Sequence, residues 1–156
     1  MSAARGNANQ ALYLAKILLK SWADELERAQ VPASTLQQAF LPGIRAHLTK
    51  AYGWFLLEIR ALEAPDAGQP PVRCGELPEI PAGKAIPGEL RELQRLESDG
   101  WLQDMLEQGA SQSPAPRSVG NLADAAVAGA DHAEAAAWAA QMESLFSRMR
   151  DSLDEY

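Results

Sequence analysis

The stretch STLQQAFLPGIRAHLTKAYGWFLLEIRALE, residues 34–63, decides the fold. Large apolar side chains recur in it every three or four residues, which is the spacing of one face of an α-helix. This stripe consists of Leu36, Phe40, Ile44, Leu48, Ala51, Phe55, Ile59 and Leu62. Pro42 and Gly43 interrupt the pattern, but the stripe keeps its phase on both sides of them. We therefore predict one long helix with a kink.

Two further long helices are predicted, one before and one after this stretch. Residues 7–30 have the same apolar spacing, with Asn7 as a candidate N-cap. Residues 131–154 repeat the pattern near the end of the chain. The two stripes are Ala8, Leu12, Ala15, Leu19, Trp22 and Leu26, and then Trp138, Met142, Leu145, Met149, Leu153 and Tyr156. Shorter helices are expected at 89–97 and from residue 101, followed by a loop at 109–120 and an alanine-rich stretch with high helix propensity.

Residues 64–88 differ in character from the rest of the chain. Six prolines and four glycines in this range exclude a helix. Large aliphatic side chains are nevertheless interspersed among them, which a free linker does not need. These are Val72, Leu77, Ile80 and Ile86. Two interpretations stay open: an extended segment pinned across the bundle by these side chains, or a docking peptide for a groove on a partner.

These patterns together predict the fold class. No strand-like alternation is evident, and the chain of 156 residues has ordinary hydrophobic (47%) and charged (22%) fractions. We predict an all-α protein, a four- to five-helix bundle with a kinked second helix and a Pro-rich extended segment at 64–88. Its length suits a single helical domain over 1–156.

The charge of the chain argues against nucleic acid as a partner. It has 14 basic and 21 acidic residues, and 16 of the acidic ones lie in 64–156. Such a surface repels phosphates and anionic lipids, and no basic stripe is evident. The apolar run 11–19 is broken by Lys16 and is too short to span a membrane. Cys74 is the only cysteine, so no internal disulfide forms and we predict a cytoplasmic location.

Known catalytic and metal-binding patterns are absent from the sequence. There is no Glu-x-x-His pair, no His-Glu-x-x-His motif and no glycine-rich nucleotide loop. Asp131 and Glu134 flank His132, but a helix cap is the simpler role for Asp131. Cys74 has no base beside it in sequence. We therefore assign no catalytic residues, no metal site and no cofactor.

Three residues of the second helix form the best candidate for a ligand site. His47, Trp54 and Glu58 fall within about 40° of one direction on a helix and flank its apolar stripe. Glu58 stands among large apolar side chains, where a carboxylate is costly to bury unless it is paired. The functional interpretation is a general acid/base pair or a ligand anchor at a groove between helices. The structural alternatives are a hydrogen bond from Glu58 to another helix, or a solvated face.

The first helix offers a candidate interaction patch. Leu14, Ile17 and Leu18 lie away from its main stripe, so the helix is apolar on two sides. The second side is covered either by the chain's own 64–88 segment or by another protein molecule, as in a symmetric dimer.

Several short motifs resemble a known family. They are the segments 9–15 (NQALYLA) and 46–52 (AHLTKAY), the pair Glu58–Ile59, the Pro-rich gap, residues 100–102 (GWL) and the ending RDSLDEY at 150–156. They resemble a family of small uncharacterised proteins of pseudomonads and related gammaproteobacteria, classified as a domain of unknown function. The resemblance implies an all-helical fold and no established activity.

Taken together, the sequence favours a non-enzymatic protein-interaction or assembly module that binds a protein partner or itself. The alternative is a small-molecule-binding protein or enzyme that uses His47, Trp54 and Glu58.

Overall fold

The computed structural model describes residues 3–62, 68–110 and 129–155, with the backbone alone for 108–110. Over these ranges every regular element is helical, which confirms the all-α prediction. The helices are α1 (Ala3–Arg28), α2 (Ala33–Ile59), α3 (Gly88–Ser98), α4 (Trp101–Ala110) and α5 (His132–Asp154), with a short 3-10 turn at Cys74–Glu76. The predicted loop at 109–120 and the start of the alanine-rich stretch fall mostly on 111–128, outside these ranges.

The three long helices form the main layer of the fold. α1 and α2 make an antiparallel hairpin with the most extensive packing in the molecule, and α5 contacts both. The start of α5 meets the end of α1, because His132 packs edge-on against Trp22. The end of α5 meets the end of α2, because Phe146 stacks on Phe55 with 4.0 Å between ring centroids. α5 therefore runs parallel to α2 and antiparallel to α1.

α2 is the central helix, and it is buried on more than its predicted face. Six members of the predicted stripe are buried, while Phe40 and Leu62 pack partly buried at its ends. Leu41, Tyr52, Leu56 and Leu57 are buried as well. They lie off the stripe: Tyr52 contacts Cys74 of the Pro-rich segment and Glu97 of α3, and Leu41 lies close to Gly129, just before α5. Burial on several sides follows from this central position.

The predicted ends of the helices need two corrections, because α2 ends at Ile59 instead of Glu63 and α1 begins earlier than predicted. α1 begins at Ala3, so Asn7 lies inside the helix and is not its N-cap. Alanine and arginine are strong helix formers, which explains why residues 3–5 extend the helix. α2 continues through Pro42 as a single element. At α5 the Asp131 carboxylate accepts a hydrogen bond of 2.8 Å from the backbone N–H of Glu134, which confirms Asp131 as the cap.

The described part of the Pro-rich segment, residues 68–88, lies against α2 and α3. Cys74 and Leu77 are buried there and Ile80 packs partly buried. Val72 and Ile86 are about 40% exposed. Of the four predicted side chains, Leu77 and Ile80 pack against the bundle, whereas Val72 and Ile86 are exposed. Cys74, which was not predicted, is buried as well.

Gly53 allows the closest backbone contact of this segment with α2. A Cβ atom at this position would lie 2.0 Å from the carbonyl oxygen of Pro71 and 3.0 Å from Cβ of Pro70. The absence of a side chain thus sets how near residues 70–71 come to the helix.

We expect Gly53→Ala to destabilise the protein by about 1–3 kcal/mol, because backbone atoms must shift to make room for the methyl group. The control is Gly6→Ala in α1, where a Cβ atom meets nothing within 4 Å. That change should stabilise the helix by about 0.5–1 kcal/mol. Urea unfolding of both variants tests this, and equal effects would contradict the close approach.

Candidate functional site

The candidate site is a cavity around Arg45, between α2, α4 and the Pro-rich segment. Its volume is about 460 Å³. Arg45 is only 5% exposed, which is unusual for a charged side chain. The described lining residues are Pro42, Arg45, Ala46, Thr49, Lys50, Gln69, Pro70, Pro71, Val72, Met105 and Leu106. We call this the Arg45 cavity.

The guanidinium of Arg45 has no partner for two of its nitrogens. Nε and Nη2 are both buried and make no hydrogen bond to the described residues. Burial lowers the pKa of Arg45, yet an arginine stays charged in proteins. A buried charged donor without an acceptor is costly, and such a group is usually paired. No acceptor among the described residues therefore pairs with this edge of the Arg45 guanidinium.

Arg150, a second largely buried arginine, shows which group the Nε and Nη2 atoms of a guanidinium bind in this fold. Arg150 of α5 binds Glu58 of α2 in a bidentate manner, with Nε 2.9 Å from Oε1 and Nη2 2.9 Å from Oε2. Nε and Nη2 form one edge of the planar guanidinium, which matches the two oxygens of a carboxylate. The same edge is paired in Arg150 and unpaired in Arg45.

The Arg150–Glu58 pair joins all three long helices. Its side chains are only 12% and 9% exposed. Arg150 Nη1 donates to Oδ1 of Asn9 in α1 at 2.8 Å, and Arg5 Nε lies 3.6 Å from Glu58 Oε1. The guanidinium also lies 5.2 Å from the centre of the Phe146 ring, within the range of a cation–π contact.

The structure places the predicted ligand residues in different settings. Glu58 is bound by Arg150, which is the hydrogen bond to another helix that the sequence allowed. Trp54 packs partly buried against the core. His47 is partly buried, and burial, followed by the charge of Lys50, lowers its pKa. None of the three lines the Arg45 cavity, and a ligand bound by them jointly stays a prediction.

The residues of the predicted interaction patch on α1 (Leu14, Ile17 and Leu18) differ in their exposure to solvent. Leu18 packs toward α2, where a Cβ on Gly43 would be 3.2 Å from its Cδ1 atom. Leu14 is partly buried and Ile17 is 44% exposed. One turn before Ile17, Tyr13 is 59% exposed. An apolar pair, Tyr13 and Ile17, thus faces solvent on this helix.

Cys74 belongs to a buried polar network. The Tyr52 hydroxyl donates to Oε1 of Glu97 and lies 3.6 Å from the Cys74 sulfur. The same carboxylate oxygen accepts the backbone N–H of Cys74 at 2.9 Å. Burial raises the pKa of the Cys74 thiol to about 12, so the thiol is protonated at neutral pH. The network ties the Pro-rich segment to α2 and α3, and its cysteine is a poor nucleophile.

A second cavity of about 470 Å³ lies where α5 begins. The Nε2 atom of His132 is 2.9 Å from the carbonyl oxygen of Leu19, and Gln37 donates to the carbonyl of Ala130 at 2.7 Å. These two bonds hold the start of α5 against the α1–α2 hairpin. The indole N–H of Trp22 at this cavity is buried and has no hydrogen-bond partner among the described residues.

The remaining features concern metals and membranes. Within the described ranges, no three His, Cys, Asp or Glu side chains come together as a potential metal site. Over the same part of the chain, no helix combines the length and hydrophobicity needed to cross a bilayer.

Comparison with known proteins gives a family. The model of a family of unknown function, DUF6586, matches residues 1–156. The chain belongs to this family. Neither a curated protein nor a solved structure matches it. Membership in DUF6586 confirms the resemblance to an uncharacterised family, while the bacterial range stays a prediction.

Arg45 is the residue that the sequence analysis missed. The available signal was a second stripe on α2, in which Leu41, Arg45, Leu48 and Tyr52 follow at spacings of four, three and four. All four are buried. A single charged residue in an apolar stripe marks either a buried ion pair or a binding site.

We expect Glu58→Leu and Arg150→Met each to destabilise the protein by about 3–5 kcal/mol, because either change leaves the other buried charge without its ion-pair partner. The double variant Glu58→Leu/Arg150→Met removes both charges and should cost less than the sum of the single changes. Urea unfolding of the four proteins measures the coupling. Additive effects would show that the pair contributes nothing as a pair.

Proposed function

We propose that this protein is a binding module that holds an anionic group in the Arg45 cavity. The observation that carries the proposal is the buried edge of the Arg45 guanidinium, which has no partner among the described residues. Lys50, a second cation, lines the same cavity. An anion bound there would satisfy the donors of Arg45 and offset its buried charge.

The energetics support a binding role over a purely structural one. Replacing a buried charged group by an apolar side chain of similar size is often neutral or stabilising. An unpaired Arg45 therefore does not help the fold by itself. Groups that break a rule of protein stability are concentrated at functional sites.

The lining also supports binding without chemistry, in line with the non-enzymatic function expected from the sequence. Its polar side chains are those of Arg45, Thr49, Lys50 and Gln69. Among the described lining residues there is no carboxylate, histidine or cysteine to serve as a general base or nucleophile.

We expect Arg45→Met to raise the stability of the ligand-free protein by about 1–3 kcal/mol, because it removes a buried charge that has no partner. Acetate and inorganic phosphate, added at constant ionic strength, should raise the melting temperature of the wild type and not of this variant. Arg91→Met is the matched control, since Arg91 is exposed on α3. Anion responses that are equal in all three proteins would overturn the proposal.

Self-association is a second candidate function, and the exposed pair on α1 supports it. Tyr13 and Ile17 lie one turn apart and are 59% and 44% exposed, with the partly buried Leu14 beside them. Burying such a surface against a second copy would stabilise a dimer by about 25 cal/mol per Å² of apolar area. This is the assembly module that the sequence favoured.

If the pair on α1 forms a dimer contact, Ile17→Glu should stay folded and become monomeric, because it places a charge in the interface. Ile86→Glu, at a position that is 40% exposed in the Pro-rich segment, is the control and should leave the mass unchanged. Light scattering over a concentration series reports the mass of each protein. A wild type that is monomeric at high concentration would exclude this candidate.

A further inference from the structure

We propose that the anionic group held at Arg45 is the carboxylate of an amphipathic small molecule, whose apolar part lies along the proline side of the cavity. This inference rests on the proposed function and adds the class of ligand. It follows from three features of the Arg45 cavity: the shape of the unpaired guanidinium edge, the shortage of backbone N–H donors in the described wall, and the apolar side chains of that wall.

The free edge fits a planar anion with two oxygens. Nε and Nη2 of Arg45 are buried and have no hydrogen-bond partner among the described residues. In this same chain the equivalent atoms of Arg150 hold the carboxylate of Glu58, with both N–O distances at 2.9 Å. A ligand carboxylate would bind Arg45 in the manner of Glu58.

Prolines leave the described wall of the cavity short of backbone N–H donors, which disfavours a phosphate. Phosphate sites surround several oxygens with backbone N–H groups, often at a helix N-terminus or in a glycine-rich loop. Here Pro42, Pro70 and Pro71 supply part of the wall, and a proline has no backbone N–H. A monoanion needs fewer donors than phosphate and is matched by the single buried guanidinium.

The rest of the wall suits an apolar group. The prolines are accompanied by Val72, Met105 and Leu106, and the volume of about 460 Å³ lies in the range of small-molecule sites. Val72 is 41% exposed at this cavity, although its neighbours Cys74 and Leu77 are buried. An apolar ligand would cover the side chain that the fold leaves open.

Entry of the carboxylate requires a small movement of side chains. Nε and Nη2 have almost no solvent-accessible surface, so the ligand displaces a neighbour to reach them. Lys50 and Met105 are the flexible, unbranched members of the wall. The Lys50 side chain is exposed, and it can then pair with the bound carboxylate from the solvent side.

Four probes separate these features: acetate, hexanoate, hexyl phosphate and 1-hexanol. Calorimetric titration of the wild-type protein should show hexanoate binding at least about tenfold more tightly than acetate, because the four added methylene groups are buried. Hexanoate should also bind more tightly than hexyl phosphate and hexanol. Arg45→Met should lose at least about tenfold in affinity for hexanoate and little for hexanol, since only the carboxylate uses the guanidinium.

Val72→Asp is the second variant, and its exposed position makes it compatible with folding. This change should weaken the binding of hexanoate much more than the binding of acetate, because it places a charge on the apolar wall of the cavity. Circular dichroism checks that each variant is folded.

The outcomes distinguish the two levels of the proposal. If acetate, hexanoate and hexyl phosphate bind with equal affinity and their binding depends on Arg45, the proposed anion site is supported. The assignment of its ligand as an amphipathic carboxylate is then wrong. Tighter binding of hexyl phosphate than of hexanoate would likewise overturn the ligand class. If no probe depends on Arg45, the proposed function fails as well.

Discussion

The carboxylate of Glu58 and the guanidinium of Arg150 meet where α1, α2 and α5 converge, nearly removed from solvent. Asn9 of α1 completes the contact, and the Phe55–Phe146 stack packs beside it. Two charges in such a setting tolerate little displacement, because separating them leaves each one desolvated and unpaired. The pair therefore fixes the register of α5 along the hairpin more sharply than apolar packing alone would.

The position of α2 in the bundle follows from this anchor. With one side held by α1 and α5, the other side of α2 is left for α3, α4 and the Pro-rich segment. Gly53 lets residues 70–71 approach closely, while the Tyr52–Glu97–Cys74 network holds the segment a few residues further on. The Arg45 cavity lies two to three turns before Gly53 on the same helix, and the same prolines form its wall. The attachment of the Pro-rich segment to α2 therefore determines the wall of the Arg45 cavity.

The helices and their main buried stripes could be predicted, because apolar residues recur in the sequence with the 3.6-residue period of an α-helix. Leu26 is the exception in α1, where it is 38% exposed near the end of the helix. Glu58 and Arg150 are 92 residues apart in the sequence. Local patterns therefore indicated that Glu58 could bond to another helix, but they could not identify Arg150 as its partner. The Arg45 cavity depends on the path of an irregular, proline-rich segment, which has no period to follow.

Arg45 and Arg150 show how one residue type can serve two roles in one small fold. Both guanidinium groups are largely buried, and both direct the Nε–Nη2 edge away from bulk water. One edge has its carboxylate supplied from another helix, so its charge is neutralised within the fold. The other has no carboxylate among the described lining residues of its cavity. A buried guanidinium edge that no described residue pairs with can gain a favourable interaction from a bound anion, and this is the physical basis for proposing binding at α2.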